Sequence, residues 1–254
     1  MSFFLNYVSK LLTYFIIGSI GGFLSGLLGI GGGVVFVPLL TYFTKIDFKT
    51  NTGISSLAVV FVAAASSLTY IFKGFEPSFN ILLIIFGGIV GGYFGGKLTN
   101  QINTKTLKRV FSLLLFFVSY KMIFGSSLES SGYDSFLFFF LIGIVSGVPS
   151  GLLGIGGGII RIPLLIFFGS YTNIVAQGIS LITTIPTALT AAITKMKNNK
   201  NLLKIGLSVG IFGVIGSILG SNVAFAINSN YLNIGFGAFL FIVSLNMLFS
   251  NKKS

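Results

Sequence analysis

Two glycine clusters and one arginine are the residues of this sequence best suited to chemistry. Glycines 31–33 and 156–158 each interrupt a long apolar segment, and successive glycines break a helix. A helix that restarts after such a cluster exposes free N–H groups and the positive end of its dipole, and both attract anions. Arg161 lies three residues beyond the second cluster. The sequence therefore predicts an anion site made of two helix N-termini and a guanidinium group.

Polar residues flank the glycine clusters and mark the start of the next apolar segment in each half. Their hydroxyls and amides could donate to the oxygens of an oxyanion, or they could hydrogen-bond neighbouring helices at around 1 kcal/mol each. Helix packing explains any one of them alone, whereas the set converges on two equivalent positions and predicts a cavity lining. The predicted substrate-binding residues are Ser25, Gly31, Gly32, Gly33, Ser55, Ser56, Ser150, Gly156, Gly157, Gly158, Arg161, Gln177 and Ser180.

The composition places these residues in a membrane. Of the 254 residues 54% are apolar and only 8% are charged, against roughly 25% charged in soluble domains, and long apolar stretches recur from end to end. The chain has no Cys and no His, so we expect no disulfide, metal site, cofactor or enzymatic activity. Its net charge of +12 is spread over segment ends, a pattern that orients membrane proteins and argues against nucleic-acid binding.

Arg161 is the one charge deep inside an apolar segment. Burying it costs at least about 2.5 kcal/mol, and every acidic residue falls in a predicted loop: Asp47, Glu76, Glu129 and Asp134. An anionic ligand would supply the missing countercharge; the alternative is that the side chain snorkels to the surface. The apolar segments contain no carboxylate or imidazole, so no intramembrane proton relay is expected.

The chain is an internal duplication. Residues 22–40 and 147–165 are identical at thirteen of nineteen positions, at an offset of 125. That offset persists to the end without an insertion, so the halves are two copies of one structural unit. We predict a single transmembrane domain, 1–254, made of repeats 1–126 and 136–254 and a linker, 127–135.

Each half has four apolar segments, and the first is over thirty residues long with the glycine cluster in its middle. This segment could cross the membrane once, or it could fold back at the cluster as a helical hairpin. Eight plain spans would divide the Lys and Arg residues nine against six, whereas two hairpins divide them thirteen against two with Arg161 inside. Because short cytoplasmic loops collect Lys and Arg, the sequence favours the hairpins.

A half with one hairpin and three crossings spans the membrane an odd number of times, so the second half must be inverted relative to the first. The predicted fold is an all-α integral membrane protein with two inverted four-segment repeats. Each repeat has a glycine-broken re-entrant helical hairpin and three transmembrane helices. Both termini are predicted to be cytoplasmic.

The paired motifs GLLGIGGG…VPLL at 26–40 and GLLGIGGG…IPLL at 151–165 closely resemble the TauE/SafE family of sulfite and organosulfonate exporters. Residues 53–57 and 178–181 resemble the family's small-residue TSL stretch, with Ile54 or Ile179 in place of its threonine. The resemblance covers nearly the whole chain. It implies a bacterial or archaeal plasma-membrane transporter of sulfur-containing anions such as sulfite or sulfoacetate.

Two functions of different class follow from these observations. The first is a secondary transporter, in the direction of export, that holds its anion at the midplane between the two GIGGG helix N-termini and Arg161. The second is a passive anion channel in which the same elements form a filter. In either case the expected partners are a small anionic substrate and the lipid bilayer, with no nucleic acid, and the oligomeric state is open.

Overall fold

A computed structural model describes residues 2–44, 46–99, 101–124, 135–196 and 200–249. These residues are helical and contain no strand, as predicted. Their ten helices are α1 (Ser2–Leu28), α2 (Gly33–Phe43), α3 (Phe48–Phe72), α4 (Asn80–Leu98), α5 (Thr104–Phe124), α6 (Phe136–Leu153), α7 (Gly158–Phe167), α8 (Asn173–Met196), α9 (Lys200–Ala226) and α10 (Ser229–Phe249). Most of the predicted linker, with Glu129 and Asp134, lies outside the described residues.

Six of these helices are long and apolar enough to cross a membrane: α1, α3, α4, α6, α8 and α9. The sequence predicted six crossings with a different membership, since it assigned one each to α5 and α10 and none to α1 and α6. The apolar stretches Leu115–Phe124 of α5 and Asn230–Leu245 of α10 are shorter. In α5 the first two turns carry basic residues, which shortens the apolar length that remains.

Both long apolar segments are interrupted at their glycines, as predicted. Helix α1 ends at Leu28 and α2 begins at Gly33. Gly29, Gly31 and Gly32 all have positive φ, between 68° and 79°, which is the region that glycine adopts without strain. The second copy repeats this conformation between α6 and α7, with positive φ at positions 154, 156 and 157. We call residues 29–32 and 154–157 the tip loops.

Helix α1 packs on α9 through glycine. Gly18 lies against Val209, and Gly26 lies two turns further along α9, against Ser217, so the two helices run parallel. A Cβ on Gly26 would stand 2.1 Å from the Ser217 carbonyl oxygen. Helix backbones approach this closely only where the residues are small. Such close packing holds membrane helices together, because the hydrophobic effect does not drive their association in lipid.

Helices α4 and α6 repeat this arrangement with the copies exchanged. Gly87 lies against Phe140, and Gly95 lies two turns further along, against Val148. A Cβ on either glycine would stand 2.2 Å from the facing carbonyl oxygen. Since α4 is the equivalent of α9 and α6 is the equivalent of α1 at the offset of 125, one contact type occurs twice in the molecule.

The centre is formed by α3 and α8, which run antiparallel. Thr52 near the start of α3 meets Lys195 near the end of α8, and Tyr70 near the end of α3 meets Gln177 near the start of α8. Helix α9 runs parallel to α3, and α4 runs parallel to α8. The contacts that set these two directions are Gly206 against Leu57, Gly213 against Val62, Gly88 against Thr187 and Gly96 against Thr194.

Helices α5 and α10 form a separate antiparallel pair. The Ser119 hydroxyl donates to the Gly237 carbonyl at 2.8 Å, and the Ser244 hydroxyl donates to the Ser112 carbonyl at 2.8 Å. Large apolar side chains cover the outer faces of the molecule; Phe72, for example, is 86% exposed. Such a surface is suited to lipid and not to water.

The start of α3 carries an acidic N-cap in a position that the sequence assigned to a loop. The Asp47 carboxylate accepts a hydrogen bond from the Thr50 backbone N–H at 2.9 Å. Partial burial alone would raise the pKa of Asp47, but the hydrogen bonds from Thr50 hold it below its ordinary value. The carboxylate is therefore ionised at neutral pH and complements the positive end of the α3 dipole.

Candidate functional site

The two tip loops meet between the middles of α3 and α8. A Cβ on Gly31 would stand 2.9 Å from Thr184 Cγ2 and 3.2 Å from Val59 Cγ1. A Cβ on Gly156 would stand 2.8 Å and 3.0 Å from the same two atoms. Both glycines therefore lie against one pair of side chains, and Val59 and Thr184 are themselves equivalent at the offset of 125. The sequence predicted this meeting of the clusters.

Each tip loop is held by a serine of the other repeat. The Ser55 hydroxyl of α3 donates to the Gly154 carbonyl at 2.8 Å, and the Ser180 hydroxyl of α8 donates to the Gly29 carbonyl at 2.9 Å. These are equivalent contacts, and all four residues are buried. The carbonyls at a helix end have no partner within the helix, so the serine hydroxyls satisfy groups that would otherwise be buried unpaired.

Replacing Ser55 or Ser180 by alanine should destabilise the protein to a similar degree. Each change leaves a buried carbonyl without its donor, at about 1 kcal/mol or more. Thermal unfolding of the purified protein in detergent measures the loss. Ser56→Ala is the matched control, because the Ser56 hydroxyl donates only within its own helix, to the Thr52 carbonyl at 2.8 Å. A control as damaging as the test variants would show that the contacts between the repeats contribute nothing special.

Arg161 lies fully inside the protein, with none of its surface exposed, so it does not snorkel. Its Nε donates to Ser146 Oγ at 3.2 Å. Its Nη1 donates to Thr183 Oγ1 at 2.6 Å, to the Ser180 carbonyl at 3.2 Å and to Thr184 Oγ1 at 3.3 Å. The guanidinium therefore joins α7 to α6 and to the middle of α8.

One terminal nitrogen of this guanidinium group makes no hydrogen bond within the described residues. Nη2 of Arg161 is buried and has no hydrogen-bond partner among the described residues. It lies 3.1 Å from where a Cβ of Gly157 would stand, beside the tip loop that precedes α7. Among the contacts of the described residues, the partners of Arg161 are neutral hydroxyls and a carbonyl, so no carboxylate balances its charge.

The equivalent place in the first repeat is apolar. Phe36 stands at the position of Arg161 and is fully buried, and its ring lies against Gly21, the equivalent of Ser146. The equivalents of Thr183 and Thr184 are Ala58 and Val59. The molecule thus has one polar, cationic cluster of buried side chains, the polar pocket, and one apolar cluster, the apolar pocket, around the same pair of tip loops.

Helices α2 and α7 begin at the tip loops without a side-chain cap. Their N-cap residues are Gly32 and Gly157, which have no cap hydrogen bond. The helices are 11 and 10 residues long, enough to carry a dipole at the first turn. Both helix starts therefore lack a side-chain cap, and their first residues, Gly33 and Gly158, lie against the tip loop of the other repeat.

The other predicted site residues have different surroundings. The Ser25 and Ser150 hydroxyls are buried beside their own tip loops and have no partner among the described residues. The Gln177 side chain lies against Gly29 of the first tip loop, and its Oε1 accepts a hydrogen bond from the Tyr70 hydroxyl. Ser55, Ser56 and Ser180 already use their hydroxyls as donors within the protein. The two tip loops and Arg161 therefore come together, and Gln177 packs against the first tip loop at Gly29.

Sequence reasoning placed Thr183 and Thr184 among the polar residues of the predicted cavity lining but did not select Ser146, although all three bind Arg161. A signal was present in the comparison of the two copies. At four positions the second copy is more polar than the first: 146 against 21, 161 against 36, 183 against 58 and 184 against 59. Differences between duplicated halves mark the pocket that similarity alone cannot show.

Comparisons of the sequence with known proteins find similar membrane transporters. The family model described as Sulfite exporter TauE/SafE matches residues 4–122 and 139–254. A "Probable membrane transporter protein" of Xylella fastidiosa (strain 9a5c) is 26% identical over 246 residues, which cover 93% of this chain and 94% of that protein. Proteins of the same description from Bacillus subtilis (strain 168) and Methanocaldococcus jannaschii are 32% and 34% identical over 46% and 59% of each chain. No solved structure matches the chain significantly.

Proposed function

The chain belongs to the TauE/SafE family, and we propose that it exports small sulfur-containing anions such as sulfite or organosulfonates across the plasma membrane. Membership makes the protein a multi-pass membrane transporter and not an enzyme. The relatives carry transporter names, which favours a carrier over the passive channel. The substrate, the direction and the site are the parts of this proposal that go beyond the family.

We propose a single domain, 1–254, of two inverted repeats, 1–126 and 136–254, with two re-entrant hairpins. The packing directions support this. Since α1 and α3 both run parallel to α9, the chain must return between them, and only α2 is available for that return. Since α3 and α8 are antiparallel, the equivalent helices α1 and α6 also point in opposite directions.

The two arms of this hairpin are α1 and α2, and the contacts of the longer arm, α1, support the same interpretation. Gly26, in the last turn of α1, lies beside Tyr70 near the end of α3, whereas Gly31 lies beside Val59 in the middle of α3. The chain therefore turns beyond the middle of α3 and comes back before α2 starts. This accounts for an α1 that is long enough to cross the membrane and yet belongs to a hairpin.

The proposed anion site lies where α2 and α7 begin, next to Arg161. The observation that carries it is the buried, unpartnered Nη2 of Arg161 beside the tip loop at Gly157. An oxyanion there would accept charge-assisted hydrogen bonds from the guanidinium and from helix N-terminal N–H groups. It would also balance a charge that is costly to bury alone.

The proposed orientation places the lysine-rich face in the cytoplasm. Lys49, Lys97 and Lys204 lie at ends of α3, α4 and α9 that the packing directions put on one side, while Lys73 and Glu76 lie on the other. Short cytoplasmic loops are the ones enriched in Lys and Arg. Both termini then fall on the cytoplasmic side, and an anion leaving the cell moves with an inside-negative potential.

Transport by the purified protein in liposomes tests the proposal. We expect saturable flux of radiolabelled sulfite that accelerates when unlabelled sulfite is present on the opposite side. Thermal unfolding in the presence of sulfite, sulfoacetate, taurine, thiosulfate, sulfate and carboxylates ranks the ligands. Unitary currents in a bilayer would identify a channel, and flux of none of these anions would reject the proposed substrate class.

A further inference from the structure

Two long polar side chains close the ends of the central helix pair, at positions equivalent by the offset of 125. At one end the Tyr70 hydroxyl donates to Gln177 Oε1 and, at 3.4 Å, to the Gly26 carbonyl. At the other end Lys195 Nζ donates to Thr52 Oγ1 at 2.9 Å and to the Leu152 carbonyl at 3.1 Å. Each thus ties α3, α8 and the last turn of a tip-bearing helix together.

We propose that Lys195 is the residue that admits the anion to the central site from the lysine-rich face, and that Tyr70 closes the opposite, neutral end. This proposal rests on the proposed function. Its first support is position: along the central pair, Gly31 and Gly156 lie at Val59 and Thr184, between the contacts of Lys195 and Tyr70. Any path from one face to the site between Val59 and Thr184 that follows α3 and α8 must therefore pass one of these two contacts.

The second support is charge. Both hydrogen-bond acceptors of Lys195, a threonine hydroxyl and a backbone carbonyl, are neutral. An anion can replace either of them with a gain in electrostatic attraction, since a partly desolvated ammonium binds an anion more strongly than it binds a neutral oxygen. The contact at Lys195 is therefore one that an anion opens and a neutral solute does not.

The third support is the shape of the opposite end. An open cleft of about 340 Å³ lies there, lined by Phe225, the first turn of α8 and the turn after α3, which includes Lys73 and Glu76. The Phe225 ring packs edge-on against Tyr70 at a centroid distance of 4.8 Å, and Phe75 lies against Gly178. The contact between Tyr70 and Gln177, against which Phe225 packs, has no charged group of its own, and in the cleft beyond Phe225 the charge of Lys73 is accompanied by the opposite charge of Glu76.

The role of Lys195 as an entrance for the anion must be distinguished from a structural role, because a lysine near a helix C-terminus also stabilises the helix dipole. Thr52→Val and Lys195→Gln provide the separation. Thr52→Val removes the hydrogen bond between the two residues and keeps the charge, whereas Lys195→Gln removes the charge and keeps a side-chain donor. A structural contact would make the two variants alike, whereas an entrance that depends on charge would make only Lys195→Gln defective, with rescue by Lys195→Arg.

The chain has no cysteine, so a single Val59→Cys probe can report access to the centre. Membrane vesicles of both orientations are treated with an anionic sulfonatoethyl and a cationic trimethylammonioethyl methanethiosulfonate, and the ratio of the two labelling rates is measured. With Lys195→Gln we expect this ratio to fall on the order of tenfold from the lysine-rich face and to stay constant from the other face. With Lys195→Arg, Thr52→Val or Tyr70→Phe the ratio from the lysine-rich face should be retained.

A ratio that is unchanged in Lys195→Gln, or that changes equally from both faces, overturns the proposal, as does the absence of labelling from the lysine-rich face in every variant. Sulfite flux supplies the second measurement: Lys195→Gln should raise KM from that face about tenfold with little change in kcat. A charge-dependent ratio in a protein that moves no sulfite would keep the entrance and reject the substrate. Sulfite flux together with a labelling ratio that does not change in Lys195→Gln would keep the substrate and reject the entrance.

Discussion

Replacing Arg161 by glutamine should reduce sulfite transport on the order of 10- to 100-fold while the protein remains folded. The change removes the buried positive charge and the unpartnered Nη2 group that point to an anion. A hydrogen bond to a charged group contributes about 1.5–3 kcal/mol, which corresponds to that loss of affinity. The measurements are sulfite flux into liposomes and the rise in melting temperature that sulfite causes, and both should decrease in the variant.

The duplication offers a matched control for this variant. The four changes Arg161→Phe, Ser146→Gly, Thr183→Ala and Thr184→Val rebuild the polar pocket with the residues of the first repeat. Because the apolar pocket around Phe36 already packs in the same surroundings, we expect the fourfold variant to fold and to show no stabilisation by sulfite. Full transport by Arg161→Gln, or by the fourfold variant, would exclude the guanidinium from the site.

Two parts of the fold could be predicted from the sequence: the equivalence of the two halves and the interruption of a helix in each. The offset of 125 predicts that contacts occur in equivalent pairs, and Ser55 with Gly154 and Ser180 with Gly29 are such a pair. The glycine clusters predict the interruptions, since no other residue adopts positive φ at successive positions without strain. The meeting of Gly31 and Gly156 was predicted from the same reasoning.

Other features could not be predicted from hydropathy. In a membrane the lipid-facing and the protein-facing sides of a helix are both apolar, so the pattern does not show which side packs. Hydropathy also did not distinguish α1 and α6, which are long enough to cross a membrane, from the shorter α2 and α7, because the apolar residues continue through the glycine cluster. The contacts of Lys195 and Tyr70 were missed because they join residues more than a hundred positions apart, 52 with 195 and 70 with 177.

Gly156→Ala should destabilise the protein and abolish most transport, and Gly31→Ala should have a slightly smaller effect on both. Gly156 has φ of 83°, where a side chain costs roughly 1–2 kcal/mol. Its new Cβ would also stand 2.8 Å from Thr184 Cγ2 and 3.0 Å from Val59 Cγ1. Relief of this overlap must move the tip loop away from the central pair, and the start of α7 moves with it. The melting temperature and sulfite flux are the measurements.

Gly74→Ala separates the two contributions to this effect. Gly74 has φ of 93°, but a Cβ there would meet nothing within 4 Å, so the change adds backbone strain without overlap. The free energy of unfolding of Gly74→Ala should therefore fall only by the backbone strain, and that of Gly156→Ala should fall by about 1–3 kcal/mol more because of overpacking. Equal losses in the two variants would mean that the tip loops are free to move apart at no cost, and that the close packing of Gly156 on α3 and α8 does not hold the helix starts in place.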